Sequence, residues 1–308
     1  MSNTDRFVMD TVGQAFFENE LAYIATKTYD RVYPSLTARQ VFPVASNFAP
    51  WAQTVSFRSY AKMANARIVA DGAIDMPIGD VAGTQVDYPV VSVGAGFNYT
   101  DLELIRSQKT GTRLDEKRAT AQREAIEGTI DDVAFNGDSV ANLPGLFSDS
   151  DVGYGAAAVG TWVATATAAQ IVSDIQKWYA DYVSQCSGYE TPNTVLMAPA
   201  PYARCAVTPF NTYTQMTILQ WLQSGGIPGV NSVISCPECA SVSAHSSYDC
   251  AVLFNRSPDK LELKIPAELK IFSPQQRGIG YHVPMYARLS GLHIYYPKSI
   301  YVLGHLNG

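Results

Sequence analysis

Cys236, Cys239, His245 and Cys250 stand at spacings of x2, x5 and x4, one residue away from a zinc knuckle. Three thiolates and an imidazole would close a tetrahedral zinc site, and such a module would associate with nucleic acid. The segment lacks a second tight turn between Cys239 and His245. Cys250 also opens the apolar run Ala251-Val252-Leu253-Phe254, where a cysteine is ordinarily a small buried hydrophobe. The buried reading is favoured, so no metal and no cofactor are expected. Gly94-Ala95-Gly96 follows a strand pattern and precedes a capped helix, the setting of a dinucleotide fingerprint. Tyr99 stands at the third glycine position, and no acidic residue closes a second strand about 20 residues on. A flexible strand-to-helix corner explains the glycines instead.

The other chemistry-bearing residues do not form a set. His282, His293 and His305 are 11 and 12 residues apart, which is no local metal face. No G-x-S-x-G, H-E-x-x-H or G-x-x-x-x-G-K-[ST] pattern occurs. Asp131-Asp132 reads as solvated charge on an exposed helix face. The expectation is therefore a non-enzyme. The alternative is an enzyme whose groups meet only in three dimensions. Arg58, Lys62 and Arg67 concentrate positive charge in a chain that is acidic overall. They are either a solvated loop or a patch that meets a neighbouring subunit, on Glu124, Glu127 and Asp131 of its long helix.

The elements that must position these residues read as α+β. Residues 1–50 look like an arm, with a short helix near Gln14–Ala25. Residues 54–60 form a strand with Val55 and Phe57 on one face and Arg58 and Tyr60 on the other. A second strand falls at 86–93. The roughly 25 residues between are too long for an ordinary connection. They either lack order alone or form a projecting hairpin that another chain orders.

Thr100-Asp101-Leu102-Glu103 is a capping box starting a helix that stops near Gly111. A long helix follows from Arg113 to about Phe135, with Leu114, Ala121, Ala125, Ile130, Val133 and Ala134 as its apolar stripe and Asn136-Gly137 as its stop. Thr167 caps another helix carrying Ile171, Ile175, Trp178 and Tyr182, ending by Gly188. Strand 194–197 stops at Pro199, and a short helix is expected near 213–223. Strands are expected at 250–254, 261–265, 269–272, 280–289 and 292–303.

Composition narrows the class. The 308 residues are 47% hydrophobic but only 16% charged, against a usual charged share of about 25%. Global disorder is excluded, and a subunit covered by neighbours fits better than a free monomer. With 22 basic and 28 acidic side chains, net −6, the chain is a poor autonomous nucleic-acid binder. Five dispersed cysteines argue against a disulfide framework. No signal peptide and no membrane span are expected.

The order of elements resembles the major capsid proteins of tailed phages, the Hong Kong 97-type capsid fold, to which encapsulin shells are related. The resemblance is carried by Phe97-x-Tyr99-Thr100-Asp101-Leu102-Glu103-Leu104, Val133-Ala134-Phe135-Asn136-Gly137-Asp138, Leu143-Pro144-Gly145-Leu146-Phe147, Ser273-Pro274-Gln275-Gln276-Arg277-Gly278 and Tyr281-x-Val283-Pro284. It implies an N-terminal arm (1–50), an extended E-loop (51–97), and a P domain of the spine helix (98–165) with returning strands (278–308). The A domain would span 166–277. It further implies hexamers and pentamers of this chain in an icosahedral shell enclosing double-stranded DNA, held only non-specifically. Portal and scaffolding or decoration proteins would be partners. The chain would be located in the virion after assembly in the bacterial host cytoplasm. The alternatives are an encapsulin-like nanocompartment shell or, in another class, the zinc-binding nucleic-acid-associated protein. Some relatives crosslink an E-loop lysine to a neighbour's asparagine. Lys62 has no matching asparagine and glutamate here, so crosslinking is not expected.

Overall fold

A computed structural model describes residues 36–63, 80–103, 114–159, 162–211, 213 and 216–307. The expected helix at Gln14–Ala25 lies outside the described residues. The framework is a five-stranded sheet of β5 (Gly153–Ala156), β14 (Ile300–Gly304), β8 (Ala251–Phe254), β6 (Thr194–Met197) and β7 (Ser232–Ser235), in that order. All four residues of β6 and of β8 are buried. Strands covered on both faces read as unbroken apolar runs, which is why the sequence shows no alternation there.

The two faces of this sheet feed two separate cores. Leu196, Val252, Phe254, Ile300 and Val302 point into the first, and Val195, Met197, Ala251, Leu253 and Leu303 into the second. The second core is covered by α3 (Ala168–Cys186), whose Ile171, Ile175, Trp178 and Tyr182 are buried as the spacing predicts. Its N-terminus is closed by the Thr167–Gln170 capping box. Its end is set by Ser187 and Gly188, both at positive φ. Pro199 does more than stop β6: it opens α4 (Pro199–Val207), where its missing N–H costs nothing. The short helix expected near 213–223 is α5 (Ile218–Trp221), followed by a π turn over Leu222–Gly226.

The first core lies between that sheet, α2 (Leu114–Asn136), and an antiparallel ladder of β4 (Val91–Thr100) with β12 (Gly280–Leu289). Val283, Met285, Ala287 and Leu289 alternate inward along β12. Strands β10 (Ala267–Ile271) and β11 (Gln275–Arg277) pair with its other edge. A third sheet joins β1 (Val44–Ala45), β9 (Leu261–Lys264) and β13 (Leu292–Ile294).

Several expectations are corrected here. Gly94 and Gly96 sit mid-strand in β4 and form no corner; Gly96 faces Pro284, and a side chain there would come within 3.0 Å of the Val283 carbonyl. The expected strand at 86–93 divides at Val90 between two sheets. The stripe on α2 is also displaced. Ile126, Ile130, Val133, Ala134 and Phe135 are buried, whereas Ala121 and Ala125 are exposed. A turn of 3.6 residues puts Ile126, Ile130 and Val133 on one side and Ala121 on another. The strand expected at 292–303 is interrupted by a 3-10 turn at Pro297–Ser299.

The end of α2 is tied by the returning chain. Leu146 N–H donates to the Ala134 carbonyl (3.0 Å) and Phe147 N–H to that of Phe135 (2.8 Å), satisfying carbonyls that a helix end leaves open. Gly137 turns away at φ +71°. Gly145 is pressed so close that a Cβ there would lie 2.2 Å from Gly137 N. Gly145→Ala should therefore cost about 1–3 kcal/mol of stability, read as a lowered thermal midpoint of the full chain. An unchanged midpoint would mean that this closure is slack.

Candidate assembly surface

Strands β2 (Thr54–Met63) and β3 (Asp80–Pro89) pair with each other over ten positions, from Thr54 opposite Pro89 to Met63 opposite Asp80. Among the described residues they join no other sheet. At about 3.3 Å per residue this ribbon reaches on the order of 30 Å. A two-stranded ribbon is marginal in water unless a face of it is packed.

Its root is packed. Val55 is buried, the Phe57 ring meets Tyr295 edge-on at 5.0 Å, and Tyr88 meets His293 edge-on at 4.5 Å. Ser290 Oγ donates to the Pro89 carbonyl at 2.9 Å. Beneath, Lys264 Nζ lies 4.3 Å from the Phe48 ring centre and 5.4 Å from that of Tyr295, with Glu262 at 3.5 Å. Burial lowers the Lys264 pKa, and Glu262 only partly counters that. Tyr295 donates to Glu262 at 2.9 Å. Val55 and Phe57 share one face of their strand in the sequence reading, which missed the platform of Tyr88, Lys264, His293 and Tyr295 that receives them. Their signal was the aromatic set Phe57, Tyr88 and Tyr295, which only folding brings together.

Farther out, residues 58–60 and 83–85 are exposed. Arg58 donates to the Gln85 side chain at 3.3 Å, and Gln85 in turn to Asp87 at 2.9 Å. Hydrogen bonds from Ser56 and Gln85 lower the Asp87 pKa. The Arg58 guanidinium and the Tyr60 ring face outward. Lys62 belongs to β2, but its side chain lies outside the described residues, as does all of Arg67.

The three acidic residues named with them part company. Glu124 is exposed on α2. Glu127 is bonded within the chain to Arg39 Nε at 2.7 Å, and the same guanidinium reaches Glu268 at 2.9 Å. Asp131 is not solvated charge: it is buried, accepting hydrogen bonds from Thr37 and Ala38 N–H, because helix α1 (Ala38–Val41) folds over it. Asp132, its neighbour, does face outward.

The Cys/His set does not converge. Cys236, Cys239 and Cys250 are buried, and all five cysteines are free thiols. Cys236 Sγ donates to Glu238 at 3.1 Å. A hydrogen bond with Cys236 and burial raise the Cys239 thiol pKa, and burial pushes that of Cys250 up to about 12. The His245 ring stacks on Tyr154 at 4.3 Å and meets Phe147 edge-on, and burial lowers its pKa. Among the described residues no group of three or more His, Cys, Asp and Glu side chains is arranged to hold a metal. No described helix is long and apolar enough to cross a membrane.

A long helix laid over a ten-pair ladder, a rooted ribbon and a doubly covered sheet define the Hong Kong 97-type capsid fold. The capsid of Myoviridae phage XM1 matches at a TM-score of 0.82 with 18% identity, over 93% of this chain and 97% of that one. A chain of Mycobacterium phage Ogopogo matches at 0.65 with 10% identity, over 92% and 96%. The virus-like particle from Pyrococcus furiosus matches at 0.54 with 16% identity, over 86% and 90%. No curated protein sequence matches the chain. The major capsid protein family matches residues 64–304, and the chain belongs to that family.

The root offers a pH test. Burial pushes the His293 pKa down to about 4, with Lys264 adding to the effect. The unfolded chain binds this proton near pH 6.5 and the folded chain resists it. The stability is therefore complete above about 6.5 and is lost as pH falls toward 4. His293→Gln, which can still donate to the Ser290 carbonyl, should lose less thermal stability between pH 7 and pH 5 than the wild type. Equal losses would remove His293 as their source.

Proposed function

We propose that copies of this chain associate as hexamers and pentamers into a closed icosahedral shell around double-stranded DNA, as a structural subunit and not as an enzyme. Family membership carries the shell-forming part of this reading. The rooted ribbon supplies the means. Among the described residues the ribbon packs only its root inside its own chain, which leaves exposed positions such as Arg58 and Tyr60 to be covered by another copy. Low charge content and many modest contacts per copy suit an assembly in which contacts add through multivalency and closure. In this reading residues 1–50 are the arm, 51–97 the E-loop, 98–165 and 278–308 the P domain, and 166–277 the A domain around the capsomer axis. Portal, scaffolding or decoration proteins would complete the particle in the host cytoplasm. The acidic chain would hold its DNA without sequence-specific contacts.

Arg58 and Glu124 remain exposed for contact between copies, with Lys62 and Arg67 as further donors on the ribbon side. Glu127 and Asp131, named with Glu124 as acidic partners, already hold Arg39 and the Ala38 amide within the chain, so this reading leans on Glu124 first. The relevant experiment is negative-stain electron microscopy with light scattering of the purified protein. Closed shells or capsomer rings are expected. A monomer under every assembly condition, with scaffold and portal supplied, would overturn the proposal. Enzyme cargo in the particles in place of DNA would indicate a nanocompartment. Replacing Arg58, Lys62 and Arg67 together by Glu should leave the thermal midpoint unchanged and cut the assembled fraction at least about tenfold, equivalent to 1.4 kcal/mol of contact free energy. Normal shells from this variant would remove the electrostatic contact.

A further inference from the structure

Cys236 and Cys239 stand as Cys-Pro-Glu-Cys, and the fold gives that spacing a definite shape. Cys236 is the N-cap of the 3-10 turn Pro237–Cys239, with extended backbone at φ −127° and ψ 113°. Cys239 N–H donates to the Cys236 carbonyl at 3.2 Å, and Ala240 N–H to that of Pro237 at 3.0 Å. A turn closed in this way brings its first and fourth Cα atoms within about 7 Å, and a disulfide spans about 4.4–6.8 Å. An N-cap side chain also turns toward the third residue of its helix. At the capping threonines of this chain, Thr100 Oγ1 lies 3.2 Å from Glu103 N and Thr217 Oγ1 lies 3.3 Å from Gln220 N. A sulfur placed that way at Cys236 reaches the Cys239 sulfur by side-chain rotation, with no movement of the backbone. Both side chains enter the first core, and neither is exposed.

We propose that Cys236 and Cys239 are a reversible dithiol, which closes into a disulfide by exchange with a low-molecular-weight disulfide such as oxidised glutathione. The pairing lies within one chain and does not depend on assembly. Cys236 loses its proton and attacks one glutathione sulfur, which breaks that S–S bond and expels one glutathione thiolate. Cys239 then loses its proton and attacks the Cys236 sulfur, which expels the second. Two protein thiols are oxidised, one glutathione disulfide is reduced, and the two protons pass to the two thiolates released. The other thiols are engaged elsewhere. Cys250 Sγ donates to the Tyr248 carbonyl at 3.5 Å and Cys186 Sγ to that of Lys298 at 2.7 Å, while Cys205 lies in the second core.

The cover over the pair is thin. Cys236 Sγ donates to Glu238 Oε2 at 3.1 Å and lies 3.6 Å from Thr37 Oγ1. The Thr37 hydroxyl donates to the same carboxylate oxygen at 2.7 Å. Glu238 is only half-buried, so the start of α1 is what separates the sulfur from solvent. Reagent enters when that segment lifts, which makes closure slow and sets its rate by local opening. Oxidation then takes one donor away from the carboxylate that holds Thr37.

The test incubates the full-length protein with oxidised glutathione, quenches it in acid, alkylates it in denaturant and counts its thiols by mass spectrometry. Hydrogen exchange at the Cys239 amide, followed in parallel, times the opening of the turn. Two of the five thiols should be lost, a peptide linking Cys236 to Cys239 should appear, and dithiothreitol should restore all five. In Cys239→Ala the reaction should stop at one glutathione on Cys236. Five free thiols in the wild type after the Cys239 amide has exchanged fully would overturn the proposal, and that measurement needs no variant to fold. A bond from either residue to Cys250, or a lasting glutathione adduct on wild-type Cys236, would overturn it equally.

Discussion

The fold depends on one constraint, the burial of a single sheet on both faces. Strands β6, β8 and β14 send alternate side chains into two different cores, so each strand serves both. An added charge or lost methyl on Val252 would be felt in the first core, and one on Leu253 in the second. Neither core could be built separately around these strands. The helices respond to the same demand. α3 closes one side with Trp178 and Tyr182, while α2 and the β4–β12 ladder close the other.

The sequence was most legible where local rules and tertiary demand coincide. The stripe on α3, its Thr167 cap and its end at Gly188 were all readable, because each depends on neighbours within four residues. The ribbon was one of the two readings of the long gap between strand patterns, the other being a segment without order of its own. The misses have a common cause in long-range packing. Asp131 looked solvated because α2 shows its acidic residues evenly. Its burial depends on Thr37 and Ala38, 94 and 93 residues away. Gly96 looked like part of a corner because its reason, the close approach of Val283 and Pro284, lies on another strand. Pro199 was read only as the stop of β6; that it also opens α4 was missed, because what holds that helix is the burial of Pro201 and Cys205 against distant residues.

The candidate assembly surface divides in the same way. Val55 and Phe57 facing in and Arg58 and Tyr60 facing out follow from simple alternation. The platform that receives Phe57 and Tyr88 does not, because His293, Tyr295 and Lys264 are some 200 residues later in the chain. Charge counting put Glu127 and Asp131 on the outside, but it has no access to the partners that draw them inward. The cysteines gave the opposite lesson: spacing suggested a centre, while the apolar run after Cys250 had already indicated why the thiols are buried.

The sheet shared by both cores also has a mechanical consequence. Two cores that meet across one rigid wall cannot slide past each other without breaking the packing of both, so this part of the chain behaves as a stiff tile. A shell of such tiles cannot change its radius by bending them. Strain would fall on what is thin, the two-stranded ribbon beyond its aromatic root. Each tile would then tilt as a body, with Phe57, Tyr88 and Tyr295 acting as the fulcrum.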